Sequence, residues 1–179
     1  MAVSSKREYG QFFTSERLWL LPHIKEHIES LKDRYSGCVD PFAGAGDLLT
    51  VAESLGYLVR GYDIDPLICS KQNWGNTHDS LREIIAHDDS FVLTNPPYLA
   101  KNSAKRMGSE MVSYFQSPFI DGIEESLRPV LDDLFKFAIE KTLMVYDDSV
   151  WIVPESVIQD LARLPHWLEN MHSLTILEE

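Results

Sequence analysis

With 179 residues, 44% of them hydrophobic and 11% aromatic, the chain has the length of one domain with a sizeable core. No apolar run approaches the roughly 20 residues of a membrane-spanning helix, and the opening MAVSSKREYGQ lacks the apolar stretch of a signal peptide, so a cytoplasmic location without a membrane partner is expected. Lys and Arg total 16 against 28 Asp and Glu, a net charge of −12, which excludes a chain that grips nucleic acid over its whole surface and leaves only a local basic patch for that purpose.

In chain order, residues 9–14 form an aromatic-rich lead-in, and Thr14 or Ser15 caps a helix with Glu16 in its first turn. Leu18, Leu21, Ile24, Ile28, Leu31 and Tyr35 recur at helical spacing, with Pro22 splitting the stretch and Gly37 stopping it. A short strand follows over Gly37–Asp40, then the turn PFAGAG, a helix over 47–55 ended by Gly56, and a second strand over 57–63. Asp65-Pro66 opens another helix. The polar NWGNTHD makes a third strand near Trp74–Asp79 a poor one, whereas Phe91–Thr94 reads as a buried strand. Residues 99–122, with Gly108, Pro118 and Gly122 and no clean period, read as a loop. Leu127, Val130, Leu131, Leu134, Phe135, Ala138, Ile139 and Leu143 predict one long helix, followed by a strand at Val150–Val153, a helix at Glu155–Leu164 and a last strand at Leu174–Leu177. Such alternation argues for a mainly parallel α/β sheet covered on both sides, in one domain with a helical lead-in over 1–36. Cys38 and Cys69 form no CxxC pair and are expected to be buried free thiols, and no metal site is expected.

In such sheets ligands sit at the carboxyl ends of the strands. The first strand ends in Asp40-Pro-Phe-Ala-Gly44-Ala-Gly46 and the second in Gly61-Tyr-Asp63-Ile64-Asp65. A dinucleotide fingerprint needs G-x-G-x-x-G, but Gly46 is followed by Asp47, Leu48 and Leu49. A carboxylate before the turn repels a pyrophosphate and suits a cationic amino group, which favours S-adenosylmethionine over a nicotinamide dinucleotide. After the strand at 91–94, Pro96 and Pro97 stiffen the backbone and remove two N–H groups. Asn95 at the strand tip and the Tyr98 ring then read as a polar clamp and a stacking face for a planar amino-bearing group.

Four segments, YGQFFTSERL, DPFAGAGDLL, GYDIDP and TNPPY, closely resemble the motifs of amino-methylating DNA methyltransferases, in particular the adenine-N6 group of restriction–modification systems. NPPY alone is shared with protein-glutamine and ribosomal-RNA methyltransferases; GQFFT and DPFAGAG are more particular to the DNA enzymes. The resemblance implies a Rossmann-like S-adenosylmethionine-dependent fold. It places Phe13 and Thr14 over the methionine end of the cofactor, with Asp40 and the turn Gly44–Gly46 holding its amino group. Asp63 accepts from the ribose, Ile64 lies against the adenine, Asp79 accepts from the adenine amine and Pro97 covers the ring. Asn95 and the Pro96 carbonyl accept from the target amine beside Tyr98. The target base must leave the duplex to reach such a clamp, and the chemistry is positioning rather than acid–base catalysis.

Lys101, Lys105 and Arg106 form the one concentrated basic patch, expected on a loop that contacts DNA phosphates. Complete enzymes of the group carry a further strand and a target-recognition domain, so DNA readout is expected to come from a recognition subunit or a further domain. An uncovered sheet edge favours pairing with such a partner or with a second copy. Two other readings share the same motifs: methylation of RNA or of a protein glutamine, and a cofactor-binding but inactive partner subunit.

Overall fold

The computed structural model describes residues 22–169 and 171–175. Five parallel strands, β1 (Gly37–Asp40), β2 (Leu58–Asp63), β3 (Gly75–Thr77), β4 (Ser90–Thr94) and β5 (Ser149–Trp151), form one sheet in the order β3-β2-β1-β4-β5. Every residue of β1 and β4 is buried, as expected for central strands covered on both faces, and the exposed, polar GNT of β3 fits a flanking one. Around the sheet lie α1 (Pro22–Ser30), α2 (Asp47–Ser54), α3 (Pro66–Cys69), α4 (Lys101–Met107), α5 (Leu134–Leu143), α6 (Val157–Leu161) and α7 (Pro165–Glu169).

Alternation along the strands separates two cores. Cys38, Phe91 and Leu93 pack with Ile28 and Leu31 at the first helix and with Leu48 and Ala52 of α2. Val39 and Val92 point the other way, into a cluster with Tyr62, Ile84 and Tyr146. The helix α2 stops at Gly56 with a Schellman arrangement, Tyr57 N to Ala52 O at 3.1 Å and Gly56 N to Glu53 O at 2.8 Å. Asp65 accepts from Leu67 N at 2.8 Å and caps α3, with Pro66 at the first helical position as the dipeptide predicts. Arg34 and Tyr35, after the first helix, both donate to Asp148 just before β5, which ties that segment to the start of β5.

Three expectations are corrected. Residues 99–122 contain α4 and a 3-10 helix at Glu110–Phe115. Gly108 ends the first in a left-handed conformation and the Ser109 side chain caps the second through Met111 N, so the glycine and serine that look like loop signals are helix punctuation. The long helix from Leu127 begins only at Leu134. Asp133 caps it through Phe135 N and also accepts from Leu99 N at 3.0 Å, so the preceding residues pair with the exit of β4 instead of coiling. Leu174 and Thr175 are not in a strand, and the remainder of that expected strand lies outside the described residues.

Close approach governs Gly61. A Cβ there would lie 2.3 Å from Trp74 Cε3 and 2.5 Å from Cδ1 of the buried Leu49. Gly61→Ala is therefore expected to lower stability by about 1–3 kcal/mol, read as a lower urea midpoint at unchanged slope. Coupling to Trp74→Ala in a double-mutant cycle locates the clash.

Candidate functional site

The strand order reverses its winding between β1 and β4, the place where open α/β sheets leave a crevice. A cleft of about 780 Å³, its open mouth included, lies there. Its lining includes Asp40, Gly44, Asp63, Ile64, Asp79 and the Asn95-Pro96-Pro97 run. Residues from four separate stretches of sequence thus meet around one space.

Asp40, at the tip of β1, is 1% exposed. Its Oδ1 accepts from Thr94 Oγ1 at 2.5 Å and from Phe42 N at 3.0 Å, which bolts the tips of β1 and β4 together. Burial pushes its carboxyl up to about 7, although both hydrogen bonds pull the other way. Asp63, at the tip of β2, accepts from Gly44 N at 3.0 Å through Oδ2 and from Asp65 N at 2.8 Å through Oδ1. Burial raises its carboxyl as well, against those backbone donors. Asp63 is therefore also the strut of the β1 turn, laced further by Ala43 N to Tyr62 O at 2.8 Å. Ile64 stays 36% exposed, an apolar side chain at the cleft lip.

Asp79 follows β3 and stands in the cleft wall, where Tyr114 Oη donates to its Oδ2 at 2.6 Å and Arg82 Nε reaches the same oxygen at 2.8 Å. Neither partner is signalled by sequence, because Tyr114 comes from the 3-10 helix that reads as loop. His78, Met111 and Asp47 also line the cleft. His78 Nε2 donates to the Glu83 carbonyl at 2.7 Å, so that nitrogen is engaged with the backbone.

Three expected placements differ. Gly46 is absent from the cleft lining; it has φ 84°, and a Cβ there would meet Trp74 Nε1 at 2.2 Å, so this glycine lets the turn close on an indole. Tyr98 is no stacking face on the cleft. Its ring packs edge-on to Phe135 at 6.0 Å within the cluster of α5 and α6, and its hydroxyl donates to Asn95 Oδ1 and lies 2.7 Å from the Ile152 carbonyl. The amide oxygen expected to await a substrate amine therefore already accepts one hydrogen bond. Lys101, Lys105 and Arg106 lie on the helix α4, not on a loop, with Lys105 and Arg106 exposed and Lys101 Nζ 5.8 Å from the Phe115 ring. Phe13 and Thr14 lie outside the described residues.

Comparison with protein-family models finds no match, and a search of curated proteins finds none either. No helix among the described residues is long and apolar enough to cross a membrane. Among those residues no group of three or more His, Cys, Asp or Glu is arranged to hold a metal ion.

The buried Asp40 makes a prediction independent of any ligand. Its folded pKa of about 7 lies above the ~3.9 of an unfolded aspartate, so its contribution to stability is complete below pH 4 and is lost as pH rises through 7. Asp40→Asn removes that dependence. Between pH 4 and pH 8 the stability difference is expected to move in the variant's favour by roughly 2–4 kcal/mol, measured by urea unfolding at both pH values.

Proposed function

We propose that this chain is the catalytic domain of a DNA methyltransferase that transfers a methyl group from S-adenosylmethionine to the N6 amine of adenine, working with a recognition subunit or a further domain. The observation that carries this reading is the convergence of Asp40, Asp63, Asp79 and Asn95-Pro96-Pro97 on one cleft at the sheet's switch point.

The lining suits that cofactor chemically. Carboxylates at three strand ends match its ammonium, its ribose hydroxyls and its adenine amine, while Ile64 and Pro97 offer apolar contact for the base. Bound, it supplies a methyl group activated by a sulfonium. The residues of the chain do the rest by placement. An amide oxygen carries two lone pairs, so Asn95 Oδ1 can serve the Tyr98 hydroxyl and a substrate together, and with the Pro96 carbonyl it accepts from both hydrogens of an exocyclic amine. Those two acceptors draw the amine lone pair out of conjugation with the ring. Tyr98 acts from behind: held by Phe135 and the Ile152 carbonyl, it fixes the amide. The basic face of α4 follows directly in the chain and supplies phosphate contacts.

Calorimetry with S-adenosylmethionine tests the binding half. Micromolar binding is expected, weakened about tenfold by Ile64→Arg, which blocks the lip without touching the struts of the turn; an absence of wild-type binding sinks the proposal. Because a bound ammonium favours ionised Asp40, affinity rises with pH between about 5.5 and 7, by up to about tenfold per unit. Asn95→Ala leaves cofactor affinity within about threefold and lowers labelled-methyl transfer to DNA by at least about 100-fold. Transfer to RNA or to protein in place of DNA reassigns the substrate.

Replacing Lys101, Lys105 and Arg106 together by alanine is expected to weaken binding to mixed-sequence duplex and to flatten its salt dependence, by about 0.9 in log–log slope for each phosphate that the helix no longer neutralises. Identical titration curves at 50 and 200 mM salt for wild type and variant would remove the helix from the DNA interface.

A further inference from the structure

Among the described residues, Asp79 is the carboxylate of the cleft that is clamped by side chains from outside the strand tips. Tyr114 Oη and Arg82 Nε both address Oδ2, at 2.6 and 2.8 Å, and Oδ1 takes no hydrogen bond among the described residues. The clamp is itself braced. The Arg82 guanidinium lies 4.9 Å from the centre of the Phe119 ring, and the Tyr114 and Phe119 rings are 5.1 Å apart. Tyr114 is 5% exposed, and Met111 from the same 3-10 helix reaches the cleft wall. Burial and the neighbouring Asp79 push the Tyr114 hydroxyl up, so it stays a donor. Both partners donate to Asp79, so its side chain faces them as an acceptor.

We propose that Tyr114 and Arg82 are positioning residues that pin one oxygen of Asp79 and present the other as a fixed acceptor, so that the cleft selects a purine with a 6-amino group over one with a 6-oxo group. The proposal rests on the reading of the cleft as an S-adenosylmethionine site. A 6-amino group donates to the presented oxygen, whereas a 6-oxo group sets one acceptor against another in a half-buried wall.

The test is calorimetry of wild type, Tyr114→Phe and Arg82→Met with S-adenosylhomocysteine and S-inosylhomocysteine, alongside thermal melts. Wild type is expected to prefer the adenosyl compound by about tenfold or more. Each variant lowers that preference to about threefold or less through weaker adenosyl binding, with inosyl affinity within about twofold of wild type. Tyr114→Phe keeps the ring packing, and Arg82, whose side chain is 63% exposed, can change without disturbing the core. A merely structural role weakens both compounds alike. Variants that bind both compounds with the wild-type preference overturn this proposal alone. A wild type that binds neither compound overturns the cofactor reading and this proposal with it.

Discussion

A carboxylate that is 1% exposed at the tip of the central strand, with two hydrogen bonds on one oxygen, is a costly thing to build. Burial pushes the Asp40 carboxyl up to about 7, so the charged form is disfavoured there even though two donors hold it. Its position organises what surrounds it. Thr94 is fully buried at the end of the inner strand β4, and its hydroxyl bond to Asp40 fixes that end against the end of β1. The next residue after Thr94 is Asn95. One buried interaction thus sets where the turn after β1 and the amide-bearing motif stand relative to each other.

Asp63 performs the corresponding service one strand away. Its two oxygens both accept from backbone N–H groups, of Gly44 in the β1 turn and of Asp65 before α3. A carboxylate has about four acceptor positions, so a ligand hydroxyl and the turn can share the same side chain. The structural role of Asp63 therefore overlaps with the binding role proposed for it, and any substitution there disturbs the turn as well. Ile64 next to it is free of that conflict, since it is partly exposed and braces nothing named in the turn.

The elements that the sequence makes legible are those whose signals are local. Gly37–Asp40, the Gly56 stop, the Asp65-Pro66 helix start and the Phe91–Thr94 strand fall where predicted, because each depends on capping, turn chemistry or burial within a few residues. The misreadings come from long-range partners. Leu127–Leu131 carry a helical period, yet Asp133 spends its carboxylate on Leu99 N across the fold and starts the helix late. Tyr98 looks like a stacking ring because it follows the motif, but Phe135 and the Ile152 carbonyl claim it from elements more than thirty residues away. Gly46 looks like a ligand contact until Trp74 closes on it from behind. For the site itself, Asp40, Asp63, Asp79 and Asn95 could be picked out one by one, whereas the Tyr114–Arg82 clamp is visible only in three dimensions.

The cleft is lined by acceptors. Asp40, Asp63 and Asp79 contribute carboxylates, Asn95 an amide oxygen, and the paired prolines lack N–H groups to offset them. The turn that resembles a phosphate cradle spends Gly44 N on Asp63 and Ala43 N on Tyr62, so two of its donors point at protein. The His78 nitrogen that faces Glu83 is likewise committed to the backbone. A ligand that brings phosphates to such a surface meets like charge and few donors. A ligand that brings an ammonium, hydroxyls and an aromatic amine finds a carboxylate for each. The same inventory explains why the proposed chemistry needs no general base at the motif: the cleft groups beside Asn95 accept, and an amine surrounded by acceptors has its lone pair turned outward, toward whatever electrophile the cleft holds.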